Sequence, residues 1–217
     1  MAAEPSSRSQ RRATGPRKGE RRREAILDAA ELLLATTPFS RLTMDDIANR
    51  AGLSRSALYF YFASKEEVLT GLHERIYDEM VRTMDPLAVE GASVAAAMSE
   101  AIERVCDNWR AHSAALRTFH ETAMVAPAFE DVWRRRLEQH VTALAVIVEG
   151  ERAAGRAAPG PPPARAIASA WFWMLESELY QLFRRRHSRR EEHELVETLA
   201  IFWRRMIGSS DRAVGGG

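Results

Sequence analysis

Within a stretch of eight residues, five side chains have the chemistry that contact with nucleic acid requires: Ser54, Arg55, Ser56, Tyr59 and Tyr61. Hydroxyl, phenol and guanidinium groups bind phosphate oxygens and the hydrogen-bonding edges of bases. A surface that carries them together would suit a polyanionic partner, because it offers many donors and a positive charge. We therefore predict that this stretch contacts DNA.

The stretch belongs to the second of two short helices that are joined by a glycine turn. Thr43 can cap the first helix, whose positive end Asp45 and Asp46 complement, and Ser54 can cap the second. Gly52 suits the left-handed conformation that closes a helix. This order is the pattern of a helix-turn-helix motif. The core between the two helices is expected to consist of Ile47, Ala48, Leu53, Leu58 and Phe62.

Helices are predicted on both sides of the motif. Apolar residues recur at helical spacing from Ile26 to Leu34, which indicates an amphipathic helix before it. After it, Ser64 and Glu67 have the spacing of a capping box and begin a helix that continues to about residue 84. Lys65 lies in the first turn of that helix, beside free backbone N–H groups, so both can meet a phosphate.

The order Gly-Leu-Ser-Arg-x-x-Leu-Tyr-x-Tyr-Phe-x-Ser-Lys-Glu, from Gly52 to Glu66, resembles the N-terminal domain of the TetR family of bacterial repressors. The similarity is strong over about residues 24–70, and beyond them it rests on helix lengths and order. Tyr59 to Glu66 and the stretch 146–159 are similar to EthR-type regulators of actinobacteria.

This resemblance implies that residues 54–61 form the recognition helix, which enters the major groove. Positions that match phosphate contacts of the family are Thr43, Tyr59, Tyr61 and Lys65, and base-proximal positions are Ser54, Arg55 and Ser56. We expect Arg55 to read a guanine edge, with contact to phosphate alone as the alternative. For Tyr59 the alternative is packing in the core.

The N-terminus is basic. Residues 1–66 carry twelve Lys and Arg against eight Asp and Glu, whereas the remainder carries nineteen against twenty-two. Residues 1–18 contain almost nothing apolar, so we predict a disordered arm. The positive charge of this arm would allow contact with DNA phosphates, and the alternative is a solvated arm with no partner. The family resemblance favours contact with the minor groove or with phosphate.

Beyond residue 86 the pattern predicts long helices and no strand. The clearest break is the Ala-, Gly- and Pro-rich segment 153–163, with two helices after it at about residues 164–186 and 190–207. We therefore expect an all-α protein with a three-helix DNA-binding domain and a larger helical domain for ligand binding and dimerisation. The predicted units are a disordered basic arm (1–18), the helix-turn-helix domain (19–66), the effector-binding and dimerisation domain (67–208) and a disordered tail (209–217).

The last two helices are the predicted dimer interface. By the resemblance, they pair with the same helices of a second subunit in a four-helix bundle. The helix from about residue 164 is apolar nearly all round and must be covered on both sides. A two-fold dimer would also match two DNA half-sites about 34 Å apart. The stripe on the last helix comprises Leu195, Leu199, Phe202, Trp203 and Met206.

Aromatic and aliphatic side chains of the larger domain predict a pocket for a small apolar effector, with ordinary core packing as the alternative for each. In EthR-like regulators an apolar tunnel runs through this domain, but two ligand-orienting asparagines of the family are replaced here by Phe172 and Leu175, and an aromatic residue by His140. Glu176 can receive a polar or cationic ligand group or pair with an arginine. The candidate lining is Trp109, Trp133, Leu137, His140, Leu144, Phe172, Leu175, Glu176, Leu179 and Trp203.

Together these expectations predict a transcriptional repressor that binds a double-stranded DNA operator. Its effector would release it by favouring a conformation in which the two recognition helices are too far apart to enter consecutive grooves of the DNA. Alternatives are a TetR-like activator, an effector-independent regulator and, less favoured, an enzyme in the helical domain. We find no nucleophile–base pair or phosphate-binding glycine loop, so we expect no enzyme. A protein that compacts DNA without sequence preference would be more basic beyond residue 66.

Other classes are also disfavoured. His120, Glu121 and His140 do not have the spacing of a metal site, and we expect no metal or cofactor. No apolar run approaches the roughly 20 residues that span a membrane, and no signal peptide is evident. The single cysteine, Cys106, has no partner within the chain, which suits a reducing compartment, so we expect a cytoplasmic protein.

Overall fold

The computed structural model describes residues 18–84, 94–123 and 126–208. In these ranges the chain forms nine helices and no strand, so the expected all-α fold is confirmed. None of these helices is both long and apolar enough to cross a lipid bilayer. The helices are α1 (Lys18–Leu34), α2 (Met44–Arg50), α3 (Arg55–Tyr61), α4 (Lys65–Met84), α5 (Val94–Ala111), α6 (Ser113–Ala123), α7 (Pro127–Ala153), α8 (Ala164–Phe183) and α9 (Arg189–Ile207).

Capping residues define the helix-turn-helix as the sequence predicts. Thr43 forms a capping box with the third residue of α2, and Ser54 accepts a hydrogen bond from a backbone N–H in the first turn of α3. Gly52 has φ of +65°, in the left-handed region that glycine favours. At α4 the N–H of Glu67 donates to Ser64 Oγ over 3.2 Å. Local side-chain chemistry therefore fixes both ends of the motif.

Some predicted boundaries differ from the structure. Helix α1 begins at Lys18, which the sequence placed in the disordered arm. Helix α8 ends at Phe183, about three residues early, and α9 follows an N-cap at Ser188. The remaining segments predicted to be disordered, 1–17 and 209–217, lie outside the described residues.

The buried apolar residues of the described chain form two hydrophobic cores. The first joins α1, α2, α3 and α4 to α6 and the start of α7, and it includes four of the five predicted motif residues, with Leu53 packed at its edge. Phe119 and Phe129, from α6 and α7, lie in the same core. The second core lies between α5, α7, α8 and α9 and is centred on tryptophans 109, 171 and 203. The predicted boundary after residue 66 therefore passes through one continuous core.

An ionic junction connects α1, α4 and the turn between α5 and α6. Arg75 on α4 donates to the carboxylates of Asp28 (2.5 Å) and Glu31 (2.8 Å) on α1. His112, in the turn, places Nδ1 2.5 Å from the other oxygen of Glu31. This hydrogen bond raises the pKa of His112. Burial acts to raise the pKa of Glu31, but the bonds to His112 and Arg75 leave it lowered.

We expect the junction to make stability depend on pH. Because the folded-state pKa of His112 is raised, its stabilisation is complete below the unfolded value of about 6.5 and is lost as pH rises through the folded-state pKa. His112→Asn should lower the free energy of unfolding by about 1–2 kcal/mol at pH 6 and by less at pH 9. Urea denaturation at both pH values measures this difference.

The matched control is His193→Asn, because the His193 side chain is 66% exposed and pairs with the exposed Glu197 on its own helix. It should change stability by less than about 0.5 kcal/mol at either pH. An equal loss for His112→Asn at pH 6 and pH 9 would show that the charged pair contributes nothing.

Candidate DNA-binding surface and effector cavity

Helix α3 presents its polar residues away from the core. Leu58 is completely buried and fixes the rotation of the helix, and Arg55, Ser56 and Tyr59 remain exposed. Phe60 is 84% exposed, although it is a large apolar side chain. Phe60 was not among the predicted DNA contacts, yet its spacing from Leu58 indicates exposure, because residues two apart lie on opposite sides of a helix. An exposed phenylalanine here can contact the methyl group of thymine.

The Arg55 side chain has contacts within the protein. Its guanidinium donates to Asp45 on α2 over 2.8 Å and lies 5.5 Å from the ring centroid of Tyr59. The Arg55 and Asp45 side chains are 63% and 52% exposed, so water and salt weaken the pair. The pair pre-orients the guanidinium at the surface of α3 without burying it.

Two of the predicted phosphate-contact residues also have structural partners. Lys65 Nζ donates to the carbonyls of Phe39 (2.9 Å) and Leu42 (3.1 Å), which leaves one of its three N–H groups. The Thr43 hydroxyl donates to Asp46 over 2.6 Å at the start of α2. Both side chains position the helix-turn-helix, and their predicted phosphate contacts remain a prediction. Two further residues of the predicted DNA-contact set are Ser54 and Tyr61. The Ser54 hydroxyl shares a hydrogen bond with the Ser56 hydroxyl, and Tyr61 is half-buried.

A cavity of about 40 Å³ lies between α4, α5, α6, α7 and α8. Five of the ten predicted pocket residues line it: Trp109, Trp133, His140, Phe172 and Glu176. The lining that the sequence analysis did not name consists of His73, Ile76, Tyr77, Met80, Asn108, Leu116 and Arg136. Four of these residues, His73, Ile76, Tyr77 and Met80, lie on α4.

The other five predicted pocket residues lie outside this cavity. Leu179 and Trp203 are completely buried in the second core, and Trp203 packs edge-on against Trp171. Leu144 and Leu175 pack against the same core, and Leu137 is half-buried on α7. Their role in effector binding stays a prediction that would require the cavity to extend toward α9.

The cavity is too small for an effector in this conformation. Its volume of about 40 Å³ suits a water molecule or two, whereas small-molecule sites occupy about 300–1,000 Å³. Binding would therefore require the helices around it to separate. A shift of α4 would be transmitted to the helix-turn-helix, because the N-terminal half of α4 lies in the first core.

Two buried polar atoms of the cavity wall have no hydrogen-bond partner in the described structure. His73 Nδ1 and Trp133 Nε1 are buried with no hydrogen-bond partner among the described residues. Burial lowers the pKa of His73 to about 3 and raises the pKa of Glu176 to about 7. The arginine partner considered for Glu176 is not found, since no described arginine lies within 4 Å of its carboxylate. Arg136 instead lies 4.1 Å from the Tyr77 ring centroid.

The residues weighed for metal binding have other contacts. His120 stacks on Tyr180 with ring centroids 4.2 Å apart, and the Tyr180 hydroxyl donates to Glu121 over 3.1 Å. In the described parts of the chain, no group of three or more His, Cys, Asp or Glu side chains is arranged to bind a metal.

Apolar side chains are exposed on the two helices predicted to dimerise. Trp173 on α8 is 40% exposed, and Ile201 and Phe202 on α9 are 39% and 44% exposed. The predicted α9 stripe is therefore divided: Leu199 and Trp203 face the core of their own subunit, and Phe202 faces outward. The sequence pattern alone did not distinguish the apolar residues that face outward from those that face the core.

Two family models match the chain. Residues 26–72 match the model for bacterial regulatory proteins of the TetR family, and residues 98–208 match that for the C-terminal domain of the transcriptional regulator EthR. The HTH-type transcriptional regulator EthR of Mycolicibacterium smegmatis is 32% identical over 187 residues, 85% of each chain. The EthR of Mycobacterium tuberculosis is 29% identical over 213 residues, covering 97% of this chain and 98% of the relative.

Solved structures share the fold at lower identity. Salmonella enterica GusR has a TM-score of 0.73 and 19% identity, covering 90% of this chain and 98% of its own. A TetR transcription regulator from Haloarcula marismortui has a TM-score of 0.70 and 15% identity, covering 87% of this chain and 97% of its own. With the helix-turn-helix and the family matches, these similarities identify the chain as a transcriptional regulator of the TetR family, of the EthR type.

Proposed function

We propose that this regulator is a repressor that binds a DNA operator as a homodimer and that a small, largely apolar effector releases it. The observation that carries the proposal is the double role of α4. Its residues Leu69 and Leu72 pack in the core of the helix-turn-helix, and its residues Tyr77 and Met80 line the cavity. A ligand that displaces α4 would therefore also reorient the DNA-binding helices.

The proposed DNA contacts combine base reading and phosphate binding. Arg55 and Phe60 supply a guanidinium and an apolar ring for base edges, and the exposed Tyr59 supplies a hydroxyl. Phosphate contacts are assigned to hydroxyl and amine groups around them. The complete proposed set is Thr43, Ser54, Arg55, Ser56, Tyr59, Phe60, Tyr61 and Lys65.

The proposed dimer interface is the outward face of α8 and α9. On α8 the exposed residues Ala166, Ala170 and Trp173 share one face, and two of them are small enough to let a partner helix approach closely. Ile201 and Phe202 provide the apolar surface of α9. Burial of these side chains would stabilise the dimer by roughly 25 cal/mol for each Å² of apolar surface removed from water.

Release by the effector follows from differential affinity. A ligand that binds only when the helices around the cavity separate must favour that conformation, and DNA must favour the other. A change in operator affinity of about 100-fold would need a difference of about 2.7 kcal/mol between the two states. Because this coupling is reciprocal, operator DNA would weaken effector binding by the same factor.

The first experiment is an electrophoretic mobility assay with DNA that flanks the gene for this protein. Excess non-specific competitor and two salt concentrations separate sequence-specific binding from attraction to phosphate alone. Retention against competitor supports the proposal. If that DNA is not retained, selection from random-sequence DNA decides, and a failure to enrich any sequence would contradict it.

Arg55→Ala should weaken binding to the selected operator by about tenfold or more, because a guanidinium–guanine contact contributes about 1–3 kcal/mol. Fluorescence anisotropy at fixed salt measures the affinity. Arg134→Ala is the control, since Arg134 lies on α7, outside the proposed dimer interface, with its side chain 63% exposed. Unchanged affinity would remove Arg55 from the interface, and an equal loss on non-specific DNA would assign it to phosphate.

Phe202→Glu should convert the dimer to a monomer at micromolar concentration, because it places a charge in the apolar interface. Analytical ultracentrifugation measures the mass. Val146→Glu is the matched control, since Val146 is 68% exposed on α7, outside the proposed interface. A dimer that is retained by the Phe202 variant and lost by the Val146 variant would place the interface on α7 instead.

A further inference from the structure

Glu176 is the acidic side chain of the cavity, and it has no partner in the described structure. It projects from α8 among the rings of Trp109, Trp133 and Phe172, which line the same cavity. No described side chain or backbone group forms a hydrogen bond or ion pair with its carboxylate. By contrast, the two carboxylates that are almost completely buried in the described parts of the chain are paired: Glu151 accepts a hydrogen bond from Arg156 over 2.6 Å, and Glu192 accepts one from His187 over 2.9 Å.

The cationic groups near the cavity do not neutralise Glu176. Arg136 also lines the cavity, but its guanidinium lies over the Tyr77 ring at 4.1 Å and 3.7 Å from the carboxylate of Asp78. His73 and His140 face the same space, and burial lowers the pKa of each, so neither carries a positive charge at neutral pH. Among the described residues, the cavity therefore contains an acid whose carboxylate form has no compensating positive charge.

A carboxylate in an apolar site is costly unless a cation or hydrogen-bond donors accompany it. Aromatic faces around the carboxylate also attract cations, and more strongly when water is excluded. The unpaired His73 Nδ1 adds a second polar atom that a donor group can satisfy. Above pH 7, where Glu176 is mostly ionised, a neutral ligand would leave the carboxylate uncompensated and an anionic ligand would be repelled by it.

We propose that the effector is an apolar organic cation, such as a protonated amine with a hydrocarbon body, and that Glu176 binds its charge. This inference rests on the proposed function, because it assigns a chemical class to the ligand of the same cavity. The hydrocarbon body would pack against the aromatic walls as the helices separate, and the ammonium group would donate to the Glu176 carboxylate.

The test compares three probes with the same tail: n-octylamine, n-octanol and n-octanoate. Isothermal titration calorimetry with the full-length protein at pH 8.5 measures their affinities below the concentrations at which they self-associate. We expect octylamine to bind about tenfold or more tightly than octanol, and octanoate to bind most weakly. Glu176→Gln should remove the preference for the amine and change the affinity for octanol by less than about twofold.

The control is Glu178→Gln, because Glu178 is exposed on the same helix and should leave all three affinities unchanged. Octanol binding as tightly as octylamine, or a preference that survives in Glu176→Gln, would overturn the cation proposal and leave the cavity as a neutral effector site. Binding of none of the three probes would overturn the apolar effector of the proposed function as well.

The pH dependence gives an independent readout. Burial raises the pKa of Glu176 to about 7, so the carboxylate fraction increases between pH 6.5 and 8.5. The other titratable groups that line the cavity are His73, His140, Tyr77 and Arg136. Burial lowers the pKa of both histidines and raises the pKa of Tyr77, which favours the neutral forms of all three over this range. Octylamine affinity should rise roughly fourfold in the wild type and stay flat in Glu176→Gln; equal slopes would contradict the assignment.

Discussion

The packing of α4 against two groups of helices at once constrains the rest of the structure. Its first half supplies Val68, Leu69 and Leu72 to the core that positions α2 and α3. Its second half lines the cavity with Tyr77 and Met80. Protein interiors are close-packed, so a helix that is shared in this way cannot move at one end without a change at the other. In the proposed function, this constraint would couple a change in the cavity to the spacing of the DNA-binding helices.

The charged and titratable groups of the described residues lie in two kinds of environment, one in which they are paired and one in which they are not. At the ionic junction, Arg75 and His112 are matched by carboxylates of α1, and such networks stabilise one arrangement of helices. In the cavity, Glu176 and His73 are unmatched, and burial moves both pKa values toward the neutral forms. Perturbed groups of the second kind are typical of sites that bind a ligand.

Much of the fold was predictable because local chemistry determines it. Thr43, Gly52 and Ser54 mark the ends of α2 and α3 by capping and turn geometry, which depend on neighbouring residues alone. Helical spacing likewise predicted most of the helix boundaries. Lys65 shows where this approach stops: its partners are carbonyls 23 and 26 residues away, and no local pattern indicates them.

The cavity was predicted only in part, for a physical reason. Which residues of a helix line a cavity depends on its rotation against several neighbours, and spacing cannot distinguish a residue in the core from one in the wall. Trp133 and Phe172 line the cavity, whereas Leu179, one turn from Glu176, is buried in the second core. The contribution of α4 was missed because its apolar residues serve both cores.

The most direct test of the coupling between cavity and operator is to fill the cavity without a ligand. Leu116→Trp adds volume to its wall on α6, and Ile147→Trp, at a site on α7 that is 38% exposed and outside the cavity, controls for the size of the substitution. Operator affinity at fixed salt, for variants that remain folded dimers, is the measurement. The account predicts that Leu116→Trp binds the operator about tenfold more weakly than Ile147→Trp and the wild type. Equal affinities for all three proteins would contradict it.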